Sequence, residues 1–154
     1  MIDFEFPQDK EFFDELFIEF GGVEKFPELF DFSEPKTKRD AFSKIRAQIF
    51  AELKGQFGDI CMLNSHKDCS QQAENVDHFI PLQSNVLNKK IRNLVRELPK
   101  KVPSQSFGSN HKLNLVLACS RCNGHKLNKF PSKEMLFRVL TQKYNFPCNR
   151  TDHP

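Results

Sequence analysis

Apolar positions recur along this chain first with the period of a helix, then in short runs of strand length, then at helical spacing again. Over residues 9–20, Phe12, Phe13, Leu16, Phe17 and Phe20 fall on one helical face with acids between them, and Gly21-Gly22 supplies a stop. Residues 38–54 repeat the period: Phe42, Ile45, Ile49 and Leu53 form one stripe, while Lys38, Arg39, Lys44, Arg46 and Lys54 lie largely elsewhere. This predicts a helix that supports the core and offers a basic outer face. After Gly55 to Gly58 the period stops, and a cysteine loop leads to a predicted strand at Val76 to Leu82. A second strand is predicted at Leu113 to Ala118, with a short helix opening after Cys122.

Between the strands, Val86, Leu87, Ile91, Leu94, Val95 and Leu98 trace a helical face opposite Lys89, Lys90 and Arg92, ended by Pro99 and Pro103. The segment Pro103 to Asn110 is rich in Ser, Gly and Asn, which predicts a mobile or ligand-ordered loop. Ser132 is placed to cap a last helix through about Lys143, with Leu136, Val139 and Leu140 as its apolar stripe. The order of elements gives an α+β fold in four segments. These are a helical arm rich in Phe (1–35), the basic amphipathic helix (36–58), a strand-containing core (59–130) with a helical insert (83–112), and a C-terminal helix and tail (131–154).

Length and composition narrow the class. A chain of 154 residues fits one domain with a real core. No apolar run is long enough for a membrane span, and the N-terminus lacks the basic-then-apolar order of a signal peptide, so a cytoplasmic protein without membrane contact is expected. Charge is segregated: residues 1–35 carry eleven acids and two lysines, a charge of −9, and residues 36–154 carry +12. A basic body is the electrostatic footprint of a polyphosphate partner, although an ordinary solvated surface has the same composition. Nine of the seventeen Phe residues lie in the acidic arm. Either the arm completes a core that the rest is too small to supply, or it docks on a protein partner or masks a nucleic-acid channel by mimicking its charge.

Five cysteines suit a metal better than a disulfide framework. Cys119-x-x-Cys122 offers two thiolates from one turn, and Cys61 with Cys69 completes a closed tetrahedral zinc site of the structural kind. The seven residues between Cys61 and Cys69 make His66 a candidate substitute for Cys69, and Cys148 reads as a free thiol in the tail.

Two stretches, Val76-Asp77-His78-Phe79-Ile80-Pro81-Leu82 and Asn114-Leu115-Val116-Leu117-Ala118-Cys119-Ser120-Arg121-Cys122-Asn123-Gly124-His125-Lys126, resemble the HNH endonucleases over roughly residues 60 to 130. The resemblance implies a ββα-metal motif with a structural zinc knuckle, embedded in a mainly helical small domain. It implies His78 as general base, Asp77 as a ligand of a catalytic Mg²⁺ or Mn²⁺, Asn114 as a positioner of the loop that orients His78, and Asn123 as the second ligand of that ion, with His125 as the alternative. Lys112, Arg121, His125, Lys126 and Lys129 then fall where phosphates are gripped, and Lys89, Lys90 and Arg92 offer a further basic face. His111 carries no role. The implied activity is metal-dependent hydrolysis of DNA to 5′-phosphate and 3′-hydroxyl ends in restriction or anti-phage defence, acting alone or as a homodimer. A homing or packaging nuclease, or a zinc-stabilised binding subunit without turnover, is the alternative.

Overall fold

The computed structural model describes residues 1–94 and 102–144. The arm begins with α1 (Pro7–Leu16), where Pro7 occupies a first-turn position that needs no intrahelical donor. Beyond Leu16 the chain tightens into a 3₁₀ turn, Ile18–Phe20, and Gly21 at φ 92° terminates it in the left-handed region that glycine enters without steric cost. Two further 3₁₀ turns, Val23–Lys25 and Pro27–Leu29, lead to α2 (Pro35–Phe57), longer at both ends than its apolar stripe predicts. Residues 58–74, the cysteine loop, contain neither helix nor strand.

The remaining elements are β1 (Asn75–His78), β2 (Gln83–Ser84), α3 (Val86–Lys90), β3 (Gln105–Ser106), β4 (Leu115–Ala118), α4 (Ser120–Lys126) and α5 (Lys133–Tyr144). β1 pairs antiparallel with β4, His78 opposite Leu115 and Asp77 opposite Val116, and β2 pairs antiparallel with β3. The described chain is therefore α+β, with helices around two small sheets. Ser132 caps α5 by accepting from the Met135 amide at 3.1 Å. Among the described residues no helix is long and apolar enough to cross a membrane.

Arm and body share an aromatic core, in which Phe13, Phe17 and Phe26 of the arm are buried with Phe42, Phe79 and Phe107 of the body. Phe13 is fully buried, and its ring packs at 5.0–5.5 Å from those of Phe4, Phe12, Phe30, Phe107 and Phe130. Phe17, Val23, Phe26 and Leu29 are buried in the same cluster as Val116, Leu117, Leu136 and Leu140. The arm is thus built into the body.

Two local expectations are corrected. The loop from Pro103 to Asn110 is pinned: β3 lies in it, Gly108 donates to the Pro81 carbonyl at 2.8 Å, and Gly108 bridges to Phe30. A Cβ on Gly108 would fall 1.8 Å from the Ile80 carbonyl oxygen, so only glycine permits that approach. The insert helix is only five residues long and ends at Lys90; beyond it Asn93 takes φ 51°, and Ile91 and Leu94 are more than a third exposed. Val95, Leu98 and Pro99, like Cys148 and the rest of the tail after Tyr144, lie outside the described residues.

Candidate metal centre and active site

Residues 61–69 and the start of α4 bring four thiols together. The Sγ atoms of Cys61, Cys69, Cys119 and Cys122 all lie within 4.8 Å of one another, and those of Cys69 and Cys119 are 3.8 Å apart. Zn–S bonds of about 2.3 Å at tetrahedral angles require sulfurs about 3.8 Å apart, so the cluster has the dimensions of a zinc site. Backbone amides already point at the sulfurs, from Asn64 to Cys61, Ser65 and His66 to Cys122, Gln71 to Cys69, and Cys122 to Cys119, all at 3.3–3.4 Å. Such donors stabilise thiolate charge. Burial, with hydrogen bonding among the sulfurs, pushes Cys69 up to about 12; Cys119, despite its burial, is held down to about 6 by the amides of Cys122 and Ser70. His66 is no member of the set, since its Nδ1 accepts from the Asp68 amide at 2.9 Å. Cys69 is the fourth sulfur.

β1 carries the two residues that matter next, and the pleat sends them to opposite faces. His78 faces α2, 9% exposed, with its ring edge-on to Phe42 at 4.6 Å. Its Nε2 lies 2.7 Å from Asn110 Oδ1, while Asn110 Nδ2 donates to the Lys38 carbonyl at 2.9 Å. That second bond fixes which way the Asn110 amide points, so Nε2 carries the imidazole proton and Nδ1 keeps a lone pair. Burial is the main cause that lowers His78 to about 4, and the charges of Lys126, Lys38 and Arg46 add to it.

Unfolded, the same imidazole titrates near 6.5. The folded state therefore binds fewer protons between about 6.5 and about 4, and stability present above that window is lost as pH falls through it. Urea midpoints measured from pH 7.5 down to 4 are expected to fall, and the His78→Leu variant is expected to show a shallower decline. Parallel declines would exclude His78 as the cause.

Asp77 faces α4. Lys126 Nζ lies 3.3 Å from Asp77 Oδ2 and donates to the His78 carbonyl at 2.8 Å, and the Lys126 side chain is only 2% exposed. The ion pair leaves Oδ2 buried without a hydrogen bond. Burial raises Asp77 and lowers Lys126, each opposed by the other's charge. Asn75, two residues before Asp77 on the same face, accepts from Asn123 Nδ2 at 3.1 Å, which leaves the Asn123 carbonyl oxygen as a donor to a cation. A buried carboxylate oxygen that meets only a lysine ammonium, on the strand face that also carries the Asn75 amide, has the oxygen chemistry of a hard divalent-ion ligand.

Asn114 is fully buried and saturated: Oδ1 accepts from the Ile80 amide at 2.7 Å, and Nδ2 donates to the Ile80 and Ser109 carbonyls at 3.0 and 2.8 Å. It ties the turn after β1 to the start of β4 and so sets where His78 ends.

The cations expected at phosphates divide. Lys89, Lys90, Arg121, His125 and Lys129 are exposed, and Lys112, also exposed, pairs with Glu52 at 2.9 Å. Two of the set are corrected. Arg92 turns inward to Asp9 at 3.1 Å and Gln105 at 2.7 Å, with its guanidinium 4.0 Å from the Phe6 ring centre, because the fully buried Asp9 needs a countercharge. Lys126 is spent on Asp77 and the His78 carbonyl. His111 only caps the turn before β4 through Nδ1, at 3.1 Å from the Leu113 amide.

Residues the pattern did not single out also shape the site. Asn110 was hidden in a polar loop. Lys38, read as part of an outer basic face, is buried and donates to the carbonyls of Asp31 and Gly108 at 2.6 Å and of Leu82 at 3.2 Å. Burial lowers it to about 8. No sequence signal marks such a lysine, because its partners are carbonyls.

No protein-family model matches the chain, nor does any curated protein or solved structure.

Proposed function

We propose that the chain is an HNH-type endonuclease with a ββα-metal core, hydrolysing DNA phosphodiesters with a divalent ion. The observation that carries this reading is the pairing, on consecutive residues of β1, of a neutral imidazole with a fixed tautomer and a buried carboxylate whose Oδ2 meets only the Lys126 ammonium, on the strand that pairs with β4 just before Cys119 of the Cys₄ cluster. His78 Nδ1 takes a proton from water as its oxygen bonds to phosphorus; the P–O3′ bond breaks and the leaving oxygen gains a proton, giving 5′-phosphate and 3′-hydroxyl ends. A Mg²⁺ or Mn²⁺ held by Asp77 and Asn123 would neutralise charge on the scissile phosphate. Lys126 supplies the positive charge at Asp77 without an ion, and has to yield that carboxylate to one. Asn110 and Asn114 orient His78 from the side chain and from the backbone. Lys89, Lys90, Arg121 and Lys129 are the cations left to meet DNA phosphates, with the His125 imidazole as a further hydrogen-bonding group, and zinc on the four cysteines would hold the loop beside them. Restriction or anti-phage defence is the setting we favour.

The burial of His78 beneath Phe42 and the occupation of Asp77 by Lys126 favour a second reading, a zinc-stabilised nucleic-acid-binding subunit without turnover. A nicking assay on supercoiled plasmid, with and without Mg²⁺ or Mn²⁺, separates the two. We expect divalent-dependent nicking that His78→Ala reduces by at least about 100-fold. DNA binding by folded, zinc-loaded protein that never nicks would establish the second reading instead.

A further inference from the structure

A cavity of about 360 Å³ opens between the cysteine loop, the segment at the end of α4, and α5. Of its walls, Lys126 belongs to the Asp77 pair and His125 and Lys129 to the residues proposed to meet phosphates; the rest has no role above. One side is Ser65, whose Oγ is buried and has no hydrogen-bond partner, while its amide is spent on Cys122 Sγ. The rim carries His125 and Lys129, both exposed, and Lys129 forms no ion pair among the described residues. Phe130 and Met135 give an apolar wall. Arg138 is not free for a ligand, because it donates to the Leu63 and Asn64 carbonyls and to Glu134, which braces the far side.

The Lys129 ammonium and the His125 imidazole at the mouth, with the buried Ser65 hydroxyl lacking a partner beneath them and the Glu134 carboxylate held by Arg138 on the far side, suit an anion, and an aromatic wall behind them suits a flat ring. The two together describe a nucleotide rather than a simple phosphate. We infer that this cavity binds one nucleotide unit of the nucleic-acid strand, its phosphate between Ser65, His125 and Lys129 and its base against Phe130 and Met135. The identity of the strand rests on the nuclease reading. Lys126 lines the cavity and pairs with Asp77, so the pocket adjoins the cleavage centre and would seat a residue next to the scissile bond.

The test is an amide-resolved NMR titration of the full zinc-loaded chain with three probes: deoxyadenosine monophosphate, inorganic phosphate and deoxyadenosine. The monophosphate is expected to shift the amides of Ser65, His125, Lys129 and Phe130. Phosphate or nucleoside alone should bind at least about tenfold more weakly, since each satisfies only one wall. Lys129→Glu, a surface change that leaves the fold intact, should weaken the monophosphate at least about tenfold, and Ser65→Ala by a few fold. Shifts confined to other residues, no shifts at all, or phosphate binding as tightly as the nucleotide would overturn the inference. Plasmid nicking without these shifts removes the pocket and keeps the nuclease, whereas these shifts without nicking keep the pocket and remove turnover.

Discussion

Removing zinc by chelation, or replacing Cys119 with serine, is expected to unfold much of the chain, lowering the thermal midpoint by on the order of 20 °C or abolishing the transition. Apart from Met62 and Leu63 in the core and the Arg138 bonds to the Leu63 and Asn64 carbonyls, residues 58–74 have few anchors besides the cysteines. That loop has no regular structure, and it joins the sheet through isolated backbone bonds such as Met62 to the Leu117 carbonyl at 2.8 Å and Glu74 to the Ala118 carbonyl at 3.0 Å. The sheet it joins has two strands of four residues, too small to be stable alone. Without a cation, four sulfurs packed within 4.8 Å cannot all carry thiolate charge together, so most of the amides aimed at them lose an anionic acceptor. Structural zinc in finger peptides contributes roughly 10–16 kcal/mol at neutral pH, comparable with the whole stability of a domain at about 5–15 kcal/mol. Metal analysis should find one zinc per chain, and circular dichroism should follow the loss. An unchanged midpoint in metal-free protein would remove the structural role.

The arm should matter almost as much. Phe13→Ala is expected to cost about 3–5 kcal/mol, because it empties a fully buried site among five rings, and deletion of residues 1–35 is expected to leave no folded body. The deletion also strips the Asp9 carboxylate from Arg92 and Gln105, and among the described residues Arg92 has no other ion pair. Urea denaturation of the point variant and size exclusion of the truncation check these outcomes. A truncation that stays folded and binds DNA more tightly would instead mark the arm as a detachable mask.

What sequence pattern captured follows from what pattern can see. Phe42 and Leu53 are buried on α2, Leu136, Val139 and Leu140 are buried on α5, and Ser132 caps α5, because helical spacing and capping are local. The Cys-x-x-Cys spacing placed two thiols correctly for the same reason, with Cys119 as the N-cap of α4. Choosing Cys69 over His66 needed the path of the loop in space. Arg92 was misplaced because its partner Asp9 is 83 residues away, and Asn110 was overlooked because Lys38 is 72 residues away. Polar composition over 103–110 suggested mobility, whereas Gly108 is there to let two backbones meet.

Lys126 carries a consequence for the order of assembly. By lending its ammonium to Asp77, it lets a carboxylate be buried during folding without any divalent ion at hand. On the nuclease reading the two metals then arrive on separate schedules: zinc is a condition of folding, whereas the second ion joins a finished protein and can come and go with the substrate. Such a chain would stay intact yet idle wherever free Mg²⁺ or nucleic acid is scarce.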